Sequence, residues 1–111
     1  MQPETHGRLK DIRQAITFIE DDTRSLTFES FVDDRRVWQP VIYNLQVIGE
    51  AMNRMRRQDP EMARRISYRD RMVDFRNALV HGYDDINFET VWEIVETFLP
   101  GLKAEVDALL E

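Results

Sequence analysis

Arg76, Asn77, His81 and Tyr83 fall within one short stretch, Arg76-Asn77-Ala78-Leu79-Val80-His81-Gly82-Tyr83, near the end of a predicted helix. Their types suit chemistry at a phosphate. A guanidinium stays protonated and offers a planar fork of donors to an anion. An imidazole is the side chain whose ordinary pKa suits proton transfer near neutrality, and the chain has only two histidines, His6 and His81. Asn77 precedes His81 by one helical turn and shares its face if the helix is unbroken. Arg76 and His81 diverge by about 140° on an ideal helix, so they converge more readily across a seam between two copies than within one. A structural reading of the same residues is also open. Arg and His near a helix C-terminus complement its dipole, and Gly82 is an expected stop signal. Tyr83 either packs its ring on the core or presents its hydroxyl beside His81.

The elements that must position these residues are helical throughout. Leu9, Ile12, Ile16 and Ile19 recur at helical spacing and predict a first helix from about Glu4 to Asp22. After a break at Thr23 to Ser25, Thr27 caps a brief turn carrying Phe28, Phe31 and Val32. Asp33 or Asp34 opens a long helix to about Arg57, with Val37, Val41, Leu45, Ile48 and Met52 on one stripe. Pro40 either kinks that helix or marks its true beginning. Asp59-Pro60 is a cap followed by proline at the first helical position, opening a short helix that ends near Ile66.

The signature helix runs from about Tyr68 to His81, with Met72, Phe75, Leu79 and Val80 inward. Asn87 caps a final helix striped by Val91, Val95, Phe98, Leu102, Val106 and Leu109, which Pro100-Gly101 should bend. Gly49 lies in the middle of the long helix, where glycine costs about 1 kcal/mol relative to alanine. A close helix contact there accounts for it, with Glu50 paired to an arginine or a buried amide. The pattern shows no alternating strand, linker or repeat. The expected architecture is one all-α domain over residues 1–111, an antiparallel bundle of four longer helices and a short one.

Composition narrows the function. The absence of cysteine excludes disulfides, thiolate metal sites and a cysteine nucleophile. No secretory pattern opens the chain, and no apolar run approaches the roughly 20 residues that span a bilayer. A cytoplasmic protein without membrane association is expected. The pairs Asp21-Asp22, Asp33-Asp34 and Asp84-Asp85 read as caps and turns, so no metal site is expected. A net charge of −6 argues against general adhesion to nucleic acid. Yet Arg54 to Arg76 carries eight arginines against four acidic residues. This basic zone leads into the signature and fits either a solvated face or an anion site. Trp38, Trp92 and several methionines read as core or interface, and as more apolar surface than a small bundle must bury, which points to a symmetric dimer.

Three blocks together carry a family resemblance: Ile48-Gly49-Glu50-Ala51; Phe75-Arg76-Asn77-Ala78-Leu79-Val80-His81-Gly82-Tyr83; and Val91-Trp92-Glu93-Ile94-Val95. In order and spacing they resemble the HepT-like branch of the HEPN superfamily, the toxins of type VII toxin–antitoxin pairs with a minimal nucleotidyltransferase. The resemblance implies a dimeric helical bundle that cleaves RNA without a metal or other cofactor. It also implies roles: Arg76 as the phosphate-binding arginine, His81 as the catalytic histidine, Asn77 as the supporting polar residue, and Tyr83 as the hydroxyl to which the cognate nucleotidyltransferase antitoxin adds AMP. Two departures stand out. Ser67-Tyr68 occupies a place where many relatives carry Pro-Trp, and Asp74 adds a negative charge near Arg76. The alternative function is a non-catalytic module of the same fold that binds a nucleotide or a nucleotidyltransferase partner.

Overall fold

A helix start leaves backbone N–H groups unpaired, and at several of the starts here a side chain satisfies one of them. The computed structural model describes residues 1–80 and 86–111, apart from the side chain of Val80. Helix α1 spans Pro3–Thr23, α2 Phe28–Val32, α3 Arg35–Gln58, α4 Pro60–Ala63 and α5 Arg69–Val80; α6, Phe88–Glu93, passes through a π-helical turn, Ile94–Phe98, into α7, Leu99–Leu110. No strand occurs among the described residues, so the fold is all-α. The expected caps are in place. Thr27 and Ser30 form a reciprocal capping box at α2, and Asp34, Asp59 and Asn87 accept backbone N–H groups at the starts of α3, α4 and α6. Ser25, at φ 68°, turns the chain between α1 and α2.

Side-chain links fix the helix directions. Thr5, at the start of α1, donates to Asp59 beyond the end of α3 at 2.6 Å. Arg56 near the end of α3 pairs with Asp70 at the start of α5 at 3.1 Å. Glu20 near the end of α1 receives Lys103 of α7 at 3.0 Å. Links that join the end of one helix to the start of another require antiparallel packing. The core is built where α1 lies on α3, α3 on α5 and α7 on α1. Its fully buried members include Leu9, Ile12, Ile16, Ile19, Val41, Leu45, Ile48, Met52 and Met72, which are the inward residues of the predicted stripes. Val37 and Phe75 are half-buried at its margin.

Two details differ from the periodicity. Pro40 does not mark the beginning of α3: the helix begins at Arg35 and continues through the proline, whose missing N–H forfeits one ladder bond. In the last helix the stripe changes phase. Leu99 is 1% exposed and Ile94 fully buried, whereas Phe98, expected inward, is half-buried. The cause is the π-helical turn, in which the Leu99 N–H donates to the Ile94 carbonyl five residues back. Pro100 has no N–H and its ring crowds the carbonyl four residues earlier. The extra residue of the turn relieves this and rotates everything upstream relative to α7.

The tryptophans expected at core or interface are partly buried at the margin of the core. Trp92 packs 5.0 Å from Phe31, and Trp38 meets Phe88 edge-on at 5.1 Å. Met52, Met55 and Met72 are buried. Among the described residues, no helix is long and apolar enough to cross a membrane.

At Gly49, α3 lies in close contact with α5. A Cβ built there would overlap Arg76 Cβ and lie 2.7 Å from the Met72 carbonyl oxygen. Both obstacles belong to the start of a side chain or to backbone, so relief requires the helices to part. Gly49→Ala should therefore destabilise the protein by about 1–3 kcal/mol, despite alanine's better helix propensity. Differential scanning calorimetry checks this; an unchanged or raised Tm would contradict the close contact.

Candidate active site

Arg76 stands one helical turn after buried Met72 on α5, so its Cβ faces α3 at Gly49. With no side chain at Gly49 to deflect it, the arginine stem lies along α3 and its Nη2 reaches Glu50 Oε2 at 2.8 Å. The angle makes this a charge contact more than an aligned hydrogen bond, since that buried oxygen lacks a well-directed donor. Arg76 Nη1 donates to Asn77 Oδ1 at 3.0 Å. The other oxygen of Glu50 accepts from Arg54 Nε at 2.9 Å. Glu50 thus joins two arginines, one turn along its own helix and one across to α5. This is the arginine partner expected for the glutamate beside Gly49.

The pair borders an open cleft of about 470 Å³ lined by Arg8, Asp11, Gln46, Val47, Glu50, Ala51, Arg54 and Arg76. Three arginines from α1, α3 and α5 face two carboxylates there, so the cleft is locally basic on a chain of net charge −6. The hydrogen bond from Arg54 lowers the pKa of Glu50 most. Burial opposes it, and the charges of Arg76, Arg54 and Arg57 lower it further. Glu50 is therefore ionised at neutral pH and holds Arg76 as an oriented cation.

The basic zone divides once folded. Arg56 is paired with Asp70, Arg64 with Glu61, and Arg71 with Glu93. Arg71 also lies 4.5 Å over the Phe98 ring. Arg69 caps the carbonyl of Ile66 at 2.9 Å. Arg56 and Arg71 tie helices together and Arg64 and Arg69 make local contacts, while Arg54 and Arg76 reach the cleft. Asp74 corrects a further expectation. It is exposed and is not among the cleft residues, because two residues of helix turn it about 200° from Arg76. Ser67-Tyr68 is structural: the Ser67 hydroxyl donates to Glu105 at 2.8 Å, and Tyr68 stacks on Phe98 at 5.2 Å.

Of the residues singled out from the sequence, Arg76 and Asn77 are in hydrogen-bonding contact with one another. His81 and Tyr83 lie outside the described residues. Arg8, Asp11 and Gln46 were missed. Arg8 and Asp11 belong to a helix distant in sequence, and nothing in spacing connects them to the signature. The link between Glu50 and Arg54 was legible as an i,i+4 acid–base pair in the favoured order.

The ribonuclease HepT-like family model matches residues 12–109. The chain belongs to that family. A relative named "Probable ribonuclease HepT" in Thermococcus cleftensis is 33% identical over 101 residues, covering 91% of each chain. A "Putative RNase" of Methanocaldococcus jannaschii is 30% identical, covering 93% of this chain and 84% of its own. Another relative so named, in Caldanaerobacter subterraneus, is 25% identical, covering 93% of this chain and 91% of its own. No solved structure matches the chain significantly. This HepT-like chain therefore shares its family along nearly its whole length, with Gly49, Glu50 and Arg76 all inside the matched span.

The Glu50 carboxylate gives a pH signature. Its pKa is lowered on folding, so the stabilisation it adds is present above the usual carboxylate range and fades as pH falls through the lowered value. Glu50→Gln should cost about 0.5–1 kcal/mol at pH 7, the modest worth of a partly exposed pair. The difference from wild type should shrink below about pH 4. Urea denaturation at both pH values measures it, and a gap that widens in acid would contradict the ion-pair assignment.

Proposed function

We propose that this HepT-like chain is a metal-independent endoribonuclease, the toxin of a type VII HEPN/nucleotidyltransferase toxin–antitoxin system. The family match supports ribonuclease activity. The observation that carries the site is Arg76, held by Glu50 beside a locally basic cleft and five residues before His81 in the sequence. An arginine whose counter-ion is fixed from one side offers its remaining donors to an anion from the other.

RNA brings its own nucleophile. The 2′-hydroxyl oxygen forms a bond to the adjacent phosphorus while the bond to the 5′ oxygen of the next nucleotide breaks. One proton leaves the 2′-hydroxyl and another reaches the departing 5′ oxygen. The products are a 2′,3′-cyclic phosphate and a 5′-hydroxyl. In this reading, copies of His81 on either side of a homodimer seam serve as base and acid, and Arg76 stabilises the charge that builds on the phosphate. Asn77 helps to hold the Arg76 guanidinium. Dimerisation rests on the divergence of Arg76 and His81 around one helix, which leaves a half-site in each copy. Addition of AMP to Tyr83 by a cognate nucleotidyltransferase would place a bulky anion two residues from His81, closing the site by sterics and repulsion.

His81→Ala should reduce cleavage of single-stranded RNA by about 10²–10⁴-fold, and Arg76→Ala by about 10²–10³-fold. Chelators should leave the wild-type rate unchanged. Initial rates on a labelled oligonucleotide, with analysis of the product termini, decide it. Equal cutting by His81→Ala, or cutting that requires a divalent metal, would refute the mechanism.

The switch has its own measurement. After co-expression with a neighbouring nucleotidyltransferase, intact-mass spectrometry should show AMP on the wild type and none on Tyr83→Phe, which should stay active in the presence of the partner. Equal adducts on both proteins, or silencing without any adduct, would mean that inhibition works by another route.

A further inference from the structure

We infer that Arg8 of α1 is a second phosphate contact in the cleft, taking a backbone phosphate of single-stranded RNA next to the one held by Arg76. This deepens the nuclease reading and rests on it for the identity of the ligand. Three arginines line the cleft, and two of them already have partners: Glu50 receives Arg54 Nε at 2.9 Å and Arg76 Nη2 at 2.8 Å. Arg8 differs. Its Nε is buried and has no hydrogen-bond partner among the described residues. Its carboxylate neighbour, Asp11, stands 3.8 Å from Nη1, too far for a strong hydrogen bond.

Buried donors are ordinarily satisfied, and each exception calls for an explanation. Here the arginine that carries the exception also lines the cleft that contains Arg76. The Arg8 side chain is 30% exposed, so part of it remains open to an incoming group. A guanidinium with donors to spare matches the oxygens of a phosphate in a planar fork. Besides its charged residues the cleft is lined by apolar Val47 and Ala51 and by Gln46, a surface suited to a sugar and base. Its volume of about 470 Å³ falls in the usual range for small-ligand sites. A strand that enters with one phosphate on Arg76 thus meets a second cation from a different helix, which fixes its path.

The contact is read by binding, separately from cleavage. Fluorescence anisotropy with a labelled single-stranded RNA, in a His81→Ala background that does not cut it, should show at least a tenfold loss of affinity for Arg8→Ala. The slope of log affinity against log salt should become shallower by about 0.7, the loss of one phosphate contact on a single strand. Arg13→Ala removes the same charge from the same helix but lies outside the cleft, and it should change affinity less than twofold. A second measurement leaves Arg8 intact: bound RNA should protect it from phenylglyoxal, followed by peptide mass spectrometry. Unchanged affinity and slope in Arg8→Ala, an equal loss in Arg13→Ala, or no protection would overturn the inference. RNA binding with the Arg8 dependence, but no cleavage by the wild-type protein, would sink the nuclease reading while leaving the contact standing. Absence of RNA binding altogether would overturn both.

Discussion

The approach of α5 to α3 at Gly49 is the constraint on which the site depends. Only a residue without a side chain lets the Arg76 Cβ and the Met72 carbonyl sit against the α3 backbone. Closer helices bring Arg76 within reach of Glu50, and they let Met72 fill the core beneath. A bulkier residue would separate both the packing and the ion pair. The loss of helix propensity at Gly49 is thus offset by a contact that places a cation, linking backbone geometry to electrostatics in one step.

Glu50 converts that placement into orientation. Arginine carries several rotatable bonds, and a free one at a surface samples many positions. Bound by a carboxylate at one side and by Asn77 at another, Arg76 loses that freedom before any ligand arrives, so less is lost on binding. The lowered pKa of Glu50 is the counterpart of this arrangement: the arginines stabilise the carboxylate and the carboxylate steadies the arginines. Most of the remaining arginine run serves the scaffold, joining α3 to α5 through Arg56 and α5 to α6 through Arg71. A basic stretch in sequence is therefore a poor measure of a basic surface. Pairing decides how much of it a ligand meets.

The far end of the bundle follows a different logic. Pro100 removes a donor within what would be one continuous helix, and the π-helical turn absorbs the fault. The consequence reaches the core, where Leu99 enters and Phe98 turns aside to stack on Tyr68. Gly101 leaves room for that ring, since a Cβ there would lie 3.1 Å from Tyr68 Cε2. Ser67 and Glu105 bind the same corner. Ser67 and Tyr68, just before α5, thus hold it against the final helix, and through α5 they support the position of Arg76.

The sequence by itself determined the helices, their caps and most of the buried stripes, because these are local: a 3.6-residue period and a capping side chain are written in consecutive residues. It also singled out Arg76 and Asn77, and it anticipated a close contact at Gly49 with an arginine for Glu50. Tertiary structure alone decided that Arg76 joins Arg54 on that carboxylate, since only packing brings it across from α5. It decided that Asp74 faces away from the cleft, that the tryptophans pack on Phe31 and Phe88, and that Arg8 joins the cleft from a helix far off in sequence. The π-helical turn was hidden for a related reason. A fixed period cannot register an inserted residue until the hydrogen bonds that accommodate Pro100 have formed. Local rules set each helix, but where two helices meet depends on side chains that sequence spacing does not relate.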